Sequence, residues 1–185
     1  MSIDGLDQAG LLWIAGATRS SPTAIAIMKW ATVLGDPVVR VATVLVALFA
    51  LLLVRRRRDA AFVLVAVVAS LILSSLVKNL VARPRPNLVP YLDDFSSWSF
   101  PSGHAWNGMA AFGGIGWAIA RRLSPWWRAA VLGVAMLPVL AIGVSRVGLG
   151  VHWPSDVLGG WAGGLATLFL SDLLVRRTGK RVNAN

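Results

Sequence analysis

Residues 60–77 read AAFVLVAVVASLILSSLV, a run of 18 residues without a charged side chain. A helix that crosses a bilayer needs about 20 mainly apolar residues, with about 17 as the lower limit. Four arginines and an aspartate precede the run at positions 55–59, and Lys78 follows it. The run's apolar length therefore predicts a membrane-spanning helix.

The composition of the whole chain favours a membrane protein. Of its 185 residues, 56% are hydrophobic and 14% are charged, with a mean hydropathy of +0.68; soluble domains carry about 25% charged residues. The net charge is +10, and the basic residues form short clusters between apolar runs. That distribution is typical of loops flanking membrane spans and argues against nucleic-acid binding. The chain has no cysteine, which excludes disulfides and thiolate metal ligands.

Four further apolar stretches lie at 37–54, 104–120, 129–145 and 157–175, of which the second and third need flanking residues to span. If the five spans alternate in direction, the C-terminal ends of the first (37–54), third (104–120) and fifth (157–175) spans in chain order lie on the same side of the membrane. Those ends carry four, three and four basic residues, together 11 of the 18: Arg55–Arg58; Arg121, Arg122 and Arg128; Arg176, Arg177, Lys180 and Arg181. The positive-inside rule makes this side cytoplasmic.

The sequence therefore predicts an all-α, polytopic helical bundle in the inner (plasma) membrane, with loops 78–103 and 145–156 facing the periplasm or exterior. Residues 37–178 form its transmembrane core and residues 179–185 a cytoplasmic tail. In residues 1–36, Ser20-Ser21-Pro22 leaves two pieces too short to span. We predict one or two amphipathic helices on the outer interface there. A broken first span is the alternative, so the count is five to six. Asp4 and Asp7 stand where a signal peptide would have a basic n-region, so we expect no cleavable signal peptide.

The first outward loop begins with Lys78 and continues with Arg83-Pro84-Arg85-Pro86. Cations on this side oppose the positive-inside trend, so an anion site explains them; snorkelling to lipid headgroups is the alternative. The prolines restrict the chain around Arg85, whose planar guanidinium can bind two phosphate oxygens, while Lys78 supplies a point charge. Arg83 is a possible additional phosphate contact.

The loop ends with Pro101-Ser102-Gly103-His104, where a helix begins. Free backbone N–H groups and the helix dipole at such a terminus favour phosphate. Gly103 permits close approach of the backbone, and His104 can exchange a proton near neutral pH. A plain serine N-cap beside a headgroup-facing histidine fits the same residues.

The second outward loop holds Arg146, His152 and Asp156. Charged residues beside membrane spans are costly unless they are paired, so they indicate function. Asp156 lies four residues after His152, in the first turn of the last helix. It can therefore accept a hydrogen bond from one ring nitrogen and leave the other free to attack. A His–Asp pair that only closes the loop is the alternative.

Together, Lys78-x6-Arg85-Pro86, Pro101-Ser102-Gly103-His104 and Ser145-Arg146-x5-His152-x3-Asp156 resemble the three signature motifs of the type-2 phosphatidic acid phosphatase family. The N-terminus departs from the family, because many bacterial relatives have a full first span. The resemblance implies a membrane lipid phosphatase. The chemistry of phosphoryl transfer and the resemblance assign the same roles to the motif residues. Substrate oxygens are bound by cations and helix-terminal donors: Lys78, Arg85, Ser102, Gly103 and Arg146.

In this mechanism His152 attacks phosphorus and forms a phosphohistidine, while Asp156 holds the ring tautomer and stabilises the imidazolium. His104 protonates the leaving oxygen and then deprotonates the water that releases phosphate. We expect no cofactor and no metal. A metal site built from both histidines and Asp156 is the alternative, which the nearby cations disfavour.

The substrate is expected to be an amphiphilic phospholipid or polyprenyl phosphate, since a soluble ester needs no site at a membrane surface. Undecaprenyl diphosphate, the carrier lipid of cell-wall synthesis, is the first candidate, and phosphatidic acid and phosphatidylglycerol phosphate compete with it. A non-catalytic lipid transporter or scaffold would predict loss of His104, His152 or Asp156, and all three are present.

Overall fold

The computed structural model describes residues 3–182, with side chains up to Thr178, so residues 183–185 of the predicted tail lie outside the described residues. The described chain is helical without strands, as predicted. Its helices are α1 (Ile3–Arg19), α2 (Pro22–Val33), α3 (Pro37–Leu53), α4 (Arg57–Val81), α5 (Gly103–Gly108), a π-helical turn (Met109–Gly113), α6 (Gly114–Ala120), α7 (Pro125–Gly148) and α8 (Pro154–Val182).

Three described helices are long and apolar enough to cross a membrane, namely α4, α7 and α8. They contain the predicted spans 60–77, 129–145 and 157–175, which agrees with a multi-pass membrane protein. Helices α2 and α3 bend by 50° at a short break and make a fourth span only if the pair crosses together. Residues 103–120 form a continuous helical segment that contains the π-helical turn. The count of five to six spans therefore stays a prediction.

Most residues of the three long helices are not buried inside the protein. Large apolar side chains such as Leu64, Val134 and Phe169 are 49%, 67% and 65% exposed. A soluble protein rarely exposes apolar patches of this extent. Contact with lipid tails is the physical reason for such a surface.

The predicted basic clusters meet at one end of the bundle. Asp59, which is buried, forms ion pairs with Arg56, Arg121 and Arg122. Asp172 on α8 forms ion pairs with Arg121 at 3.0 Å and with Arg176 at 2.7 Å. The basic ends of three predicted spans thus lie on the same side of the fold, as alternating spans require.

At the opposite end, the helix boundaries bring the three motifs together. Helix α4 ends at Val81 and is followed by the C-cap residue Ala82, whose left-handed φ of 47° turns the chain into the proline-rich stretch. Lys78 therefore stands in the last turn of α4. Pro154 begins α8, which places Asp156 in the first turn.

Glycines allow α8 to approach α5 closely, and this contact sets the distance between two of the motifs. A Cβ at Gly163 would lie 2.3 Å from the ring of Trp106, and one at Gly160 would lie 2.7 Å from the carbonyl oxygen of Ser102. Small residues serve this purpose in membrane helix pairs generally. Substitution at either glycine would push the α5 N-terminus away from α8.

The N-terminal helices pack against the bundle. Leu11 and Ala15 of α1 are fully buried and belong to an apolar cluster with Ala105, Val147 and Val157. Helix α2 lies along α7. The division of the chain at residue 36 and the interfacial location of residues 1–36 stay predictions.

Candidate active site

His152 and Asp156 form a buried pair at the motif end of the bundle, with exposures of 2% and 0%. Nδ1 of His152 lies 3.3 Å from Oδ2 of Asp156. The same carboxylate oxygen accepts hydrogen bonds from the Ser99 hydroxyl and, at 2.9 Å, from the Trp153 N–H. Asp156 is therefore held by several donors, and it in turn orients the imidazole.

The second ring nitrogen of His152 faces Arg85, with 3.3 Å between Nε2 and Nη1. A guanidinium only donates hydrogen bonds, so Nε2 is the acceptor and carries no proton. The remaining proton then belongs to Nδ1, which donates it to Asp156. This tautomer directs the lone pair of Nε2 toward the guanidinium of Arg85.

Burial is the largest influence on the His152 pKa and lowers it to about 3. The hydrogen bond with Asp156 opposes this change, while the positive charge of Arg85 adds to it. A lowered pKa means that the ring is neutral at physiological pH. Nε2 is consequently available as a nucleophile without prior deprotonation.

Three motif cations, Lys78, Arg85 and Arg146, bind oxygen atoms of the chain itself. Nζ of Lys78 donates to the Trp98 carbonyl at 2.7 Å, and Nε of Arg85 donates to the Ser97 carbonyl at 2.8 Å. Burial lowers the pKa of Arg85 to about 10, which leaves it charged at neutral pH. Loop oxygens thus occupy positions that a phosphate could take.

Arg146 is 3% exposed, and its Nη1 donates to Thr32 Oγ1 at 2.7 Å and pairs with Asp93. Its Nε is buried without a hydrogen-bond partner among the described residues. Its carbonyl oxygen accepts from the His152 N–H at 3.3 Å. Arg146 therefore contributes both a charge and a backbone anchor for the loop that carries His152.

Ser102 and Gly103 stand at the start of α5, beside Lys78. Ser102 is fully buried, and its hydroxyl lacks a partner in the described part of the chain. Its backbone N–H donates to the Asp156 carbonyl at 2.9 Å, which joins the second motif to the third. A Cβ on Gly103 would lie 4.0 Å from Cε of Lys78, so the helix start borders the cation.

His104 has a carboxylate partner of its own, since Nε2 lies 3.3 Å from Oδ1 of Asp36. Asp36 stands in the turn between α2 and α3, and this turn touches the ring closely. A Cβ at Gly35 would come within 2.6 Å of Cδ2 of His104. The side chain of His104 is 27% exposed, whereas that of His152 is 2% exposed.

Two sequence-based hypotheses fit this geometry poorly. Arg83 donates to Asp156 at 2.8 Å and to Asp7 at 2.7 Å, so its terminal nitrogens are directed at carboxylates rather than at a phosphate position. The two histidines bind different aspartates, and no group of three metal-ligating side chains occurs within the described residues. The alternative of one shared metal site therefore lacks its ligand cluster in that part of the chain.

Sequence analysis did not single out several side chains that contact the motif residues: Asp7, Thr32, Asp36, Asp93 and Ser99. A weak signal existed for the acids, because the chain has few of them and these stand outside the predicted spans. For Thr32 and Ser99 the sequence offered no such signal. Their contacts depend on the docking of the N-terminal helices and the outer loop onto the bundle.

Comparisons with known proteins agree on one family. The sequence model of the PAP2 superfamily matches residues 59–180. Phosphatidylglycerophosphatase B of Bacillus subtilis (strain 168) is 36% identical over 102 residues, covering 54% of this chain and 49% of that protein. The undecaprenyl-diphosphatase of Sulfolobus acidocaldarius is 34% identical over 129 residues, covering 66% and 59%.

The fold is similar to the crystal structure of the PAP2 type phosphatidylglycerolphosphate phosphatase from Bacillus subtilis. The TM-score is 0.83 at 27% identity, over 95% of this chain and 87% of that one. The sequence alignments cover only about half the length of the two relatives named above, at 49% and 59%. The likeness in fold thus extends over more of the chain than the likeness in sequence.

Proposed function

Because this chain belongs to the PAP2 superfamily, we propose that it is a metal-independent membrane phosphatase that hydrolyses a lipid phosphate through a phosphohistidine on His152. The observation that carries the proposal is the buried His152–Asp156 pair, whose unprotonated Nε2 faces Arg85. A neutral nucleophile beside a cation is the arrangement that attack on a phosphoryl group requires.

When the substrate binds, its phosphate oxygens become the hydrogen-bond acceptors of the three motif cations. The phosphate oxygens replace the Trp98 and Ser97 carbonyls on Lys78 and Arg85 and the Asp93 carboxylate on Arg146. The Ser102 hydroxyl and the Gly103 N–H complete the phosphate site. Such preorganised donors stabilise the charge that develops on the equatorial oxygens in the transition state.

In the first chemical step, Nε2 of His152 attacks phosphorus, and the bond from phosphorus to the lipid oxygen breaks. His104 donates a proton to that oxygen as it leaves, and Asp156 stabilises the imidazolium. In the second step, His104 accepts a proton from water, whose oxygen attacks the phosphohistidine. The phosphorus–nitrogen bond breaks, its electron pair returns to Nε2, and inorganic phosphate leaves.

A cavity of about 660 Å³ borders Asp36 and Asp93 and is also lined by Lys29 and Tyr91. Because Asp36 pairs with His104, we assign the leaving group of the substrate to this cavity. The first candidate substrate is undecaprenyl diphosphate, which the name of one relative supports. The second is phosphatidylglycerol phosphate, which the names of a relative and of a solved structure support; phosphatidic acid is the third.

The purified protein in detergent is expected to release phosphate from at least one of these lipids in excess EDTA, because its own cations bind the anion. Vanadate, which mimics pentacoordinate phosphorus, is expected to block the reaction. Loss of activity on chelation, with recovery on addition of Mg²⁺, would contradict the metal-independent mechanism. If no lipid of the panel loses phosphate, the transporter or scaffold hypothesis gains support instead. A His152→Ala preparation serves as the blank.

We further propose that the motif end faces the periplasm or exterior of the inner membrane, because 11 basic residues flank the other end. The chain has no cysteine, so Ser97→Cys and Gly179→Cys each introduce a single label site. In intact cells, an impermeant thiol reagent is expected to label position 97 and to spare position 179. The opposite pattern would invert the orientation, and labelling after cell lysis controls for accessibility.

A further inference from the structure

Helix α1 lies outside the stretch that the family model matches, yet it carries a side chain directed at the motif end of the bundle. Asp7 is 3% exposed. Its Oδ1 accepts a hydrogen bond from the Ser155 N–H at 2.8 Å, and its Oδ2 accepts one from Nη2 of Arg83 at 2.7 Å. A Cβ at Gly10, one turn later, would lie 3.0 Å from Pro154, so α1 packs closely on the start of α8.

Arg83 connects Asp7 to the His152–Asp156 pair. Its Nη1 donates to Oδ1 of Asp156 at 2.8 Å and to the Ser155 hydroxyl at 2.7 Å. The guanidinium carbon lies 5.5 Å from the centroid of the Trp153 ring, which covers it. Arg83 is thus fixed between two carboxylates, one on α1 and one on α8.

The two oxygens of Asp156 have different tasks. Oδ2 faces Nδ1 of His152 and accepts from Ser99 and Trp153, whereas Oδ1 binds Arg83. A guanidinium with Asp156 as its sole carboxylate partner would compete with the imidazole for the charge of Asp156. Because Arg83 also binds Asp7, it competes less for the charge of Asp156, and it still holds the Asp156 carboxylate in place.

We propose that Asp7 is a positioning residue for the His152–Asp156 pair and acts through Arg83; the inference rests on the proposed phosphatase function. Helix α1, which lies outside the three motifs, would then contribute to catalysis through Asp7. Asp7 does not touch the phosphate site. Its loss should therefore slow phosphoryl transfer without weakening phosphate binding.

The test compares Asp7→Asn with wild type on the best lipid of the panel. Asparagine keeps the shape of the side chain and the oxygen that accepts from the Ser155 N–H, but it removes the charge. We expect kcat to fall by about tenfold to 100-fold, as small misplacements of reacting groups do. The Ki of inorganic phosphate as a competitive inhibitor should stay within about twofold of wild type, because the loss affects only the chemical step.

Asp4→Asn is the matched control, because it removes the same charge from an exposed position on the same helix. It should leave kcat and the Ki of phosphate unchanged. A second comparison places Asp7→Asn in an Asp156→Asn background. There it should lower the residual rate by less than about twofold, since the connection to His152 is already cut.

An equal loss in both backgrounds would overturn the inference, because Asp7 would then act independently of Asp156. Unchanged kcat in Asp7→Asn, or a Ki for phosphate that rises with the loss of kcat, would overturn it as well. If Asp7→Asn is not recovered as folded protein, Arg83→Lys takes its place. Lysine keeps the charge but has one nitrogen in place of Nη1 and Nη2, which reach Asp156 and Asp7 separately. The same fall in kcat with unchanged Ki is therefore expected. Wild type without activity on any lipid would instead reject the proposed function.

Discussion

Replacement of His152 by alanine is expected to abolish phosphoenzyme formation with every substrate. Nε2 of this residue is the proposed nucleophile, and the other histidine, His104, is the proposed proton donor and binds Asp36. Removal of the nucleophile from a catalytic group that acts as a unit costs about 10⁶-fold in kcat in a well-studied serine protease. A loss of that order should appear for lipid and for soluble phosphate esters alike.

The measurement is covalent labelling of the protein with a radiolabelled phosphate ester, followed by acid and base treatment. A phosphohistidine is labile to acid and stable to base, so wild type should carry such a label and His152→Ala should not. The fold is expected to survive the substitution, because Asp156 keeps its contacts with Arg83, Ser99 and the Trp153 N–H. An unchanged thermal unfolding midpoint is the control for this point.

Replacement of His104 by alanine is expected to slow the reaction by an amount that depends on the leaving group. General acid catalysis typically contributes about 10²- to 10⁴-fold, and a lipid alkoxide needs that protonation in full. A nitrophenolate is a good leaving group and needs little protonation. If the site accepts p-nitrophenyl phosphate, His104→Ala should keep much more of its labelling rate on that ester than on a lipid monophosphate.

Hydrolysis of the phosphoenzyme should also slow in His104→Ala, because the same residue is the proposed base for water. Acid-labile label should therefore accumulate on this variant during turnover. A comparison with His152→Ala distinguishes the two roles. If label persists in His152→Ala and disappears in His104→Ala, the assignments of nucleophile and acid are reversed. Equal losses on both leaving groups would reject His104 as the general acid.

Much of the architecture follows from local chemistry and could be predicted. The apolar runs at 60–77, 129–145 and 157–175 each lie within one long helix, because apolar length alone decides whether a helix suits a bilayer. The three motifs likewise predicted that Lys78, Arg85, Ser102, His152 and Asp156 would meet, since each stands beside a boundary of an apolar segment. Alternating helices bring such boundaries to the same end.

The sequence by itself determined the family, the helical class and the identity of the motif residues, because these depend on composition and spacing along the chain. Spacing also predicted the pair of His152 with Asp156, but the tertiary structure alone decided which distant acids the cations and His104 meet. Asp7, Asp36 and Asp93 reach Arg83, His104 and Arg146 across long stretches of chain. Periodicity does not specify which loop acid meets which cation, because that depends on how α1, the α2–α3 turn and the outer loop dock onto the bundle.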